Sequence, residues 1–417
     1  MTAEHASRYL IVSSDGHVGP SLENQLRPYC PSTYLPEFDE YVQAYRASMD
    51  QRRARMRPVE HARPEVLAAV ERTQNCKGLG DPHAFLADMD AEGIAATVLF
   101  GGGQNEETLP WVEGFGMGST QTRPELRALG FHIWNMWLAD FVATAPQRLL
   151  GLIHIPIWDL PLAIAEMEWG KDRGLKGVNF PAPRPDYPAF NEPLYEPFFS
   201  AAEALGLPLV THAGAGEITP GRRDAPGSYM LHSFEAMWLG RRALPQMLLG
   251  GVFERHPDLR LVFTEQRLSW VGETLRDLDS CYLDPNRDYS DRPARRPSDY
   301  WSDNCSIGAS FIAPYEVALR DEVGVRNIMW GSDYPHAEGT WPRTGLALRN
   351  SFAGVPEDEV RLMLGDNAAR IFDVDVDVLG RVADQIGPTP DDLSRPLSPD
   401  EFPEHRGLAF REFGIFA

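Results

Sequence analysis

The chain repeats one alternation: short, almost continuous apolar runs, separated by longer segments whose apolar positions recur three and four residues apart. The runs cover residues 11–14, 95–100, 149–155, 175–180, 207–212, 259–265, 304–307 and 327–333. Runs of strand length with so little polar alternation are those of a parallel sheet covered on both faces. The helix-length spacers are what parallel neighbours need to cross over. Eight runs predict an α/β protein built as a closed (β/α)8 barrel, a TIM barrel, in preference to an open doubly wound sheet.

Two spacers show where their helices begin. Asp81-Pro82 sets an acid at the cap and a proline in the first turn, and Phe85, Leu86 and Met89 then follow along one face. Pro356 with its acids opens a second helix toward Leu364, and Asn367 to Phe372 extends the helical region. The barrel is expected over residues 1–373, with helical insertions and a C-terminal extension. Residues 20–80 are expected to be an inserted arm or lid, aromatic at first and then rich in arginine (Arg46, Arg52, Arg53, Arg55, Arg57). A plain solvated helix is the other reading of that charge run. A glycine-rich active-site loop is expected over 214–232, after the fifth strand, and residues 374–417 are expected to wrap the barrel or a partner subunit.

Composition narrows the class. With 43% hydrophobic and 24% charged residues this is an ordinary globular chain, and no apolar run approaches a membrane span of roughly 18 residues. The N-terminus lacks the basic start and apolar stretch of a signal peptide, so a cytoplasmic protein that uses no membrane is expected. Sixty acidic against 39 basic side chains give a net charge of −21, which disfavours nucleic acid as a partner and leaves a small-molecule substrate. The four cysteines are scattered without a CxxC pair, as in reduced thiols.

Active sites of (β/α)8 barrels form at the C-terminal mouth, so polar residues that end strands draw attention. In that register Asp15 and His17 follow the first strand, His212 the fifth, Glu265 the sixth and Asp333 the eighth. Taken singly each has a plainer reading: Asp15-Gly16 as a turn, His212 as a core histidine, Glu265 as a partner of Arg267. Together they bring oxygen and nitrogen donors to one place. Trp158, Trp238 and Trp341 are candidates to line an apolar pocket, and Arg222 and Arg223 to meet a substrate anion.

Six stretches then share an order and spacing. They are Ser14-Asp15-Gly16-His17; the helix from Asp81 to Asp90 leading into Glu92-Gly93-Ile94; Thr211-His212-Ala213-Gly214; Gly251 to Leu259; Gly331-Ser332-Asp333-Tyr334-Pro335-His336; and Gly365 to Arg370. Across residues 9–373 the chain resembles the second amidohydrolase family, the metal-dependent (β/α)8 enzymes that include aminocarboxymuconate semialdehyde decarboxylase and hydroxybenzoate decarboxylases. The resemblance implies a divalent metal held by Asp15, His17, His212 and Asp333, a proton moved by Asp333, and a homodimer or higher homo-oligomer.

Two departures qualify it. Glu265 stands where family decarboxylases carry a histidine, which counts against decarboxylation, and Lys176 comes too early in its strand to form the bridging carbamate of two-zinc relatives. A carboxylate-rich set suits zinc, manganese or iron. One ion is expected, with Glu265 as a further ligand or base. If His232 and His336 also point inward, two ions are allowed, and His336 is a further catalytic candidate. The leading expectation is hydrolysis of a small or medium-sized organic carbonyl or carboxylate substrate by metal-activated water, with decarboxylation second. The same carboxylates are similar to what an atypical nonheme diiron monooxygenase branch of the fold, acting on diterpenoids, would need. A non-catalytic binding barrel is the third reading.

Overall fold

Nine short strands carry the apolar runs: β1 (Val12–Ser13), β2 (His17–Val18), β3 (Ala96–Gly101), β4 (Leu149–His154), β5 (Gly177–Asn179), β6 (Leu209–His212), β7 (Leu261–Thr264), β8 (Cys305–Ser310) and β9 (Ile328–Gly331). The computed structural model describes residues 8–55, 64–112, 122–185, 187–214, 225–286, 290, 292–404 and 407–411. Every pairing is parallel, in the order β1-β3-β4-β5-β6-β7-β8-β9, and β2 prolongs the first stave beside β3. The ring closes where the Ser14 N–H donates to Trp330 O at 2.9 Å and Gly16 bridges Tyr334. Eight staves with helices between them make the (β/α)8 barrel expected from the sequence.

The near-continuous apolar runs are explained by two layers that read alternate residues of each strand. Val12, Val98, Leu150, Leu152, Val210, Val262 and Met329 form one buried cluster, which fills the barrel. Their neighbours Ile11, Leu99, Leu149, Ile153, Leu209, Leu261, Phe263, Ile307 and Trp330 join the larger cluster beneath the helices. Phe372 and Leu379 join the inner cluster from the chain beyond the last stave.

Local chemistry sets the helix ends as expected. The Asp81 carboxylate accepts from the His83 and Ala84 N–H groups, Pro82 opens the helix Pro82–Glu92, and Gly93 closes it at φ 76°, where a residue with a side chain would be strained. In the 20–80 region, helix Leu35–Arg55 sets Phe38, Val42 and Tyr45 into the main core, while Arg46 pairs with Glu23 and Glu107. Beyond residue 373, helices Val376–Ile386 and Pro390–Ser394 lead to Arg411, whose guanidinium pairs with Glu316 in the interior. Among the described residues no helix is long and apolar enough to cross a membrane.

Three strand boundaries differ from expectation in a way that bears on the site. The run expected to stop at Ile307 continues to Ser310, and β7 and β9 stop short of Glu265 and Asp333. Those two acids sit just past the strands in left-handed backbone, at φ 55° and 56°. Such conformations are costly for residues with side chains and gather at functional sites.

Candidate metal centre

The first stave delivers two donors because Gly16 separates them. A Cβ on Gly16 would stand 2.5 Å from Thr97 Cγ2, so only glycine lets Asp15 and His17 flank a residue pressed against β3. The Asp15 carbonyl accepts from Ser13 Oγ at 2.6 Å and from the Asp333 N–H at 3.2 Å, tying the first stave to the end of the last. Ser310, at the end of β8, donates its hydroxyl to Asp15 Oδ2 at 2.5 Å. Asp15 Oδ1 then faces the mouth.

Two histidines are turned the same way by backbone carbonyls. His17 Nδ1–H donates to Gly101 O at 3.2 Å, and His212 Nδ1–H to Ala213 O at 2.6 Å. Each Nε2 therefore points at the acids: His17 Nε2 lies 3.3 Å from Asp15 Oδ1 and 3.2 Å from Asp333 Oδ1, and His212 Nε2 lies 3.5 Å from Asp15 Oδ1. A carbonyl that holds one ring nitrogen and leaves the other to the site is the outer-shell arrangement of metal-binding histidines. His336 bridges Gly102 O, at 2.8 Å from Nε2, and Asp333 Oδ1, at 2.8 Å from Nδ1, and its ring stacks on that of His17.

The donors converge closely enough for an ion. One ligand atom each of Asp15, His17 and His212 lies within 4.8 Å of the other two, and the same holds for His17, Asp333 and His336. Asp15 Oδ1 and both Asp333 oxygens are buried and accept no hydrogen bond of good geometry among the described residues. Buried carboxylate oxygens left this way are costly unless a cation meets them. The residues present therefore fit a divalent metal.

The titration of these groups follows from their neighbours. Burial opposes the charge of Asp15, but the His17 and His212 rings outweigh it and hold the carboxyl far below its usual range. Burial also opposes protonation of His17 and His212, yet the facing acids raise both above the ordinary histidine value. His336, likewise opposed by burial, is pushed up to about 10, chiefly by Asp333. Glu265 moves well above the ordinary value because of burial and then the charge of Asp333, only partly offset by His212.

Of the residues singled out in the sequence, Asp15, His17, His212, Glu265, Asp333 and His336 come together; Glu265 Oε2 stands 3.5 Å from His212 Nδ1. Trp158 packs beside Phe131 with the Arg127 guanidinium 3.9 Å from its ring centre, four residues past the end of β4. Trp341 packs against Tyr334, beneath Arg72. Trp238 is 55% exposed on helix Ser228–Leu239, beside Phe234. Arg222, Arg223 and the His232 side chain lie outside the described residues.

Three participants escape the sequence reading. Ser310 lies beyond the strand end inferred from apolarity. Glu338 follows Asp333 in an irregular loop and brings a carboxylate oxygen within 4.8 Å of those of Glu265 and Asp333. His154 ends β4 with the same facing as Leu150 and Leu152, a strand-end position that register alone could have flagged. It receives a hydrogen bond from Asn179 Nδ2 at 3.2 Å, and burial depresses its pKa to about 3.

A family model described as amidohydrolase matches residues 118–374. Among solved structures the chain is similar to 5-carboxyvanillate decarboxylase from Sphingomonas paucimobilis, at 23% identity and TM-score 0.59, covering 88% of this chain and 100% of that one. It is also similar to an amidohydrolase from Mycobacterium avium subsp. paratuberculosis, at 17% identity and TM-score 0.63, with 87% and 99% of the two chains covered. A dihydroxybenzoic acid decarboxylase from Polaromonas, solved with manganese and the inhibitor 2-nitroresorcinol, matches at 18% identity and TM-score 0.58 over 88% and 97% of the chains.

Proposed function

The chain belongs to the amidohydrolase family, and on that premise we propose that it is a metal-dependent hydrolase of a small or medium-sized organic carbonyl compound, with Asp333 as the base. Asp15, His17, His212 and Asp333 would hold a divalent ion of the zinc, manganese or iron kind, which supplies Lewis-acid activation of water and of the substrate carbonyl. The observation that carries the reading is Asp333: its Oδ1 is pinned between His336 and His17, while its buried Oδ2 accepts no hydrogen bond among the described residues. An oxygen held so, at the mouth end of β9, is available to take the proton of attacking water.

Glu265 supplies the complementary acid. In the metal-free protein burial and the charge of Asp333 favour its protonated form, and its place beside Asp333 and His212 suits it to pass a proton to a leaving group. The aromatic wall of Phe131 and Trp158 beside His154 suits an apolar or aromatic substrate body. Decarboxylation of an aromatic acid is the second reading. The same protonated Glu265 supports it, since that reaction needs an acid to protonate a ring carbon.

Turnover in 18O-labelled water, over a panel of esters, lactones, amides and hydroxylated aromatic acids, tests the proposal. Hydrolysis places one labelled oxygen in the product acid. Carbon dioxide release with solvent deuterium on the ring carbon would replace it with decarboxylation, and oxygen uptake with a reductant would replace it with the oxygenase. Asp333→Asn keeps an oxygen donor but cannot take a proton, so turnover should fall by about 10²–10⁴-fold while metal is retained.

A further inference from the structure

A cluster of buried donors lies at the rim between β6 and β7, beside the metal centre and separate from it. Arg241 belongs to the single turn Gly240–Arg242 that follows helix Ser228–Leu239. A Cβ on Gly240 would stand 3.3 Å from His212 O and 3.4 Å from Thr211 Oγ1, so glycine lets this turn settle on the end of β6. Arg241 Nε donates to Gln266 Oε1 at 2.9 Å, and its guanidinium lies 4.9 Å from the centre of the Trp270 ring. Gln266 and Arg267 directly follow Glu265 past the end of β7. Four N–H donors of this group are buried and make no hydrogen bond among the described residues: Arg241 Nη2, Arg267 Nε, Gln266 Nε2 and Trp270 Nε1.

Neighbouring guanidinium groups repel each other, and burial takes away the water that would screen them. Burial first, and then the charge of Arg267, pull the pKa of Arg241 down to about 10. Among the described residues neither arginine has a salt-bridge partner. Glu316, the acid whose charge reaches Arg267, is already held by Arg411 and by the Leu268 and Ala313 N–H groups. Buried donors without acceptors are costly, and two arginine forks beside an amide match a carboxylate. We infer that Arg241, Arg267 and Gln266 form an anion site for a second carboxylate of the substrate, one that takes no part in the reaction. An inorganic anion alone would approach this rim against a net charge of −21, whereas a substrate anion gains a second anchor at the metal. The inference rests on the proposed hydrolysis and narrows its substrate to organic carbonyl compounds that also carry a carboxylate.

Full-length protein loaded with Mn2+ and titrated calorimetrically with isophthalate, adipate, benzoate and hexanoate tests the site without turnover. Each dicarboxylate should bind about 10–100-fold more tightly than its matched monoacid, the range of one or two charge-assisted hydrogen bonds. Arg241→Gln and Arg267→Gln should each remove most of that advantage. Arg241→Lys, which keeps the charge, should restore part of it, and Arg276→Gln, at an exposed arginine paired with Glu322, should leave it whole. An equal advantage in the wild type and both glutamine variants overturns the site, as does none in the wild type. Inorganic phosphate that binds more tightly than either dicarboxylate, and loses affinity in the same variants, overturns the substrate assignment in favour of a free anion. Ester turnover separates the inference from the function beneath it. Arginine-dependent binding with no hydrolysis of any ester leaves the anion site and removes the hydrolase. Hydrolysis of diethyl and monoethyl isophthalate in a ratio unchanged by both variants leaves the hydrolase and removes the anion site.

Discussion

His212 and His154 both end staves of one barrel and both face its mouth, yet they meet opposite surroundings. His212 looks toward Asp15 and Glu265, with its Nδ1 anchored on a backbone carbonyl, and the acids raise its affinity for a proton. His154 stands beside Phe131 and Trp134 with only Asn179, among the described residues, as a polar companion of its ring, and burial keeps it neutral. Strand-end register brings a side chain to the mouth. Whether it becomes a ligand or a wall is decided by the residues across from it.

The contrast is broken most forcefully at His212. Its replacement by alanine should weaken metal binding by more than about 100-fold, beyond the usual cost of losing a supporting contact, while His154→Gln should keep the wild-type affinity. Calorimetric titration of metal into each variant checks this, and equal losses in the two would erase the distinction. Ser310→Ala removes the hydrogen bond that orients Asp15, so a loss of about 10–100-fold is expected with the fold unchanged by circular dichroism.

A smaller effect distinguishes the two histidines by pH. The His154 pKa falls from 6.5 to about 3 in the fold, so the unfolded chain takes this proton first. Stability present above pH 6.5 is therefore lost as pH falls toward 3, with a slope approaching about 1.4 kcal/mol per pH unit. His17 and His212 act in the other direction in metal-free protein: their stabilisation is complete below 6.5 and disappears as pH rises through their raised values. Chemical denaturation of metal-free wild type and His154→Gln should show the variant losing less stability below pH 6.5, with the alkaline side unchanged. Identical acid limbs would show that His154 is not held neutral.

How much was legible follows from which contacts are local. Apolar runs and helix caps depend on neighbours in sequence, so the staves and the helix opened by Asp81-Pro82 could be placed in advance. Asp15, His17, His212 and Asp333 could be grouped because each sits at or just past the end of an apolar run. Ser310 could not, because Gly308, Ala309 and Ser310 lack the large apolar side chains by which a strand is recognised, although the ladder with β9 extends through them. Glu338 lies in a loop with no periodicity, and its approach to Glu265 depends on a different stave.

The sequence by itself determined the barrel and the donors offered at its mouth, since alternating burial inside and outside a parallel ring is written in side-chain type. Only the tertiary structure decided how those donors divide. The closing of the first stave on the last sets His17 between Asp15 and Asp333, and the turns after β7 and β9 bring Glu265 to Asp333 and Glu338. The physical reason is distance: charge and coordination act over a few ångströms between residues far apart in the chain, and only the closed ring brings them that near.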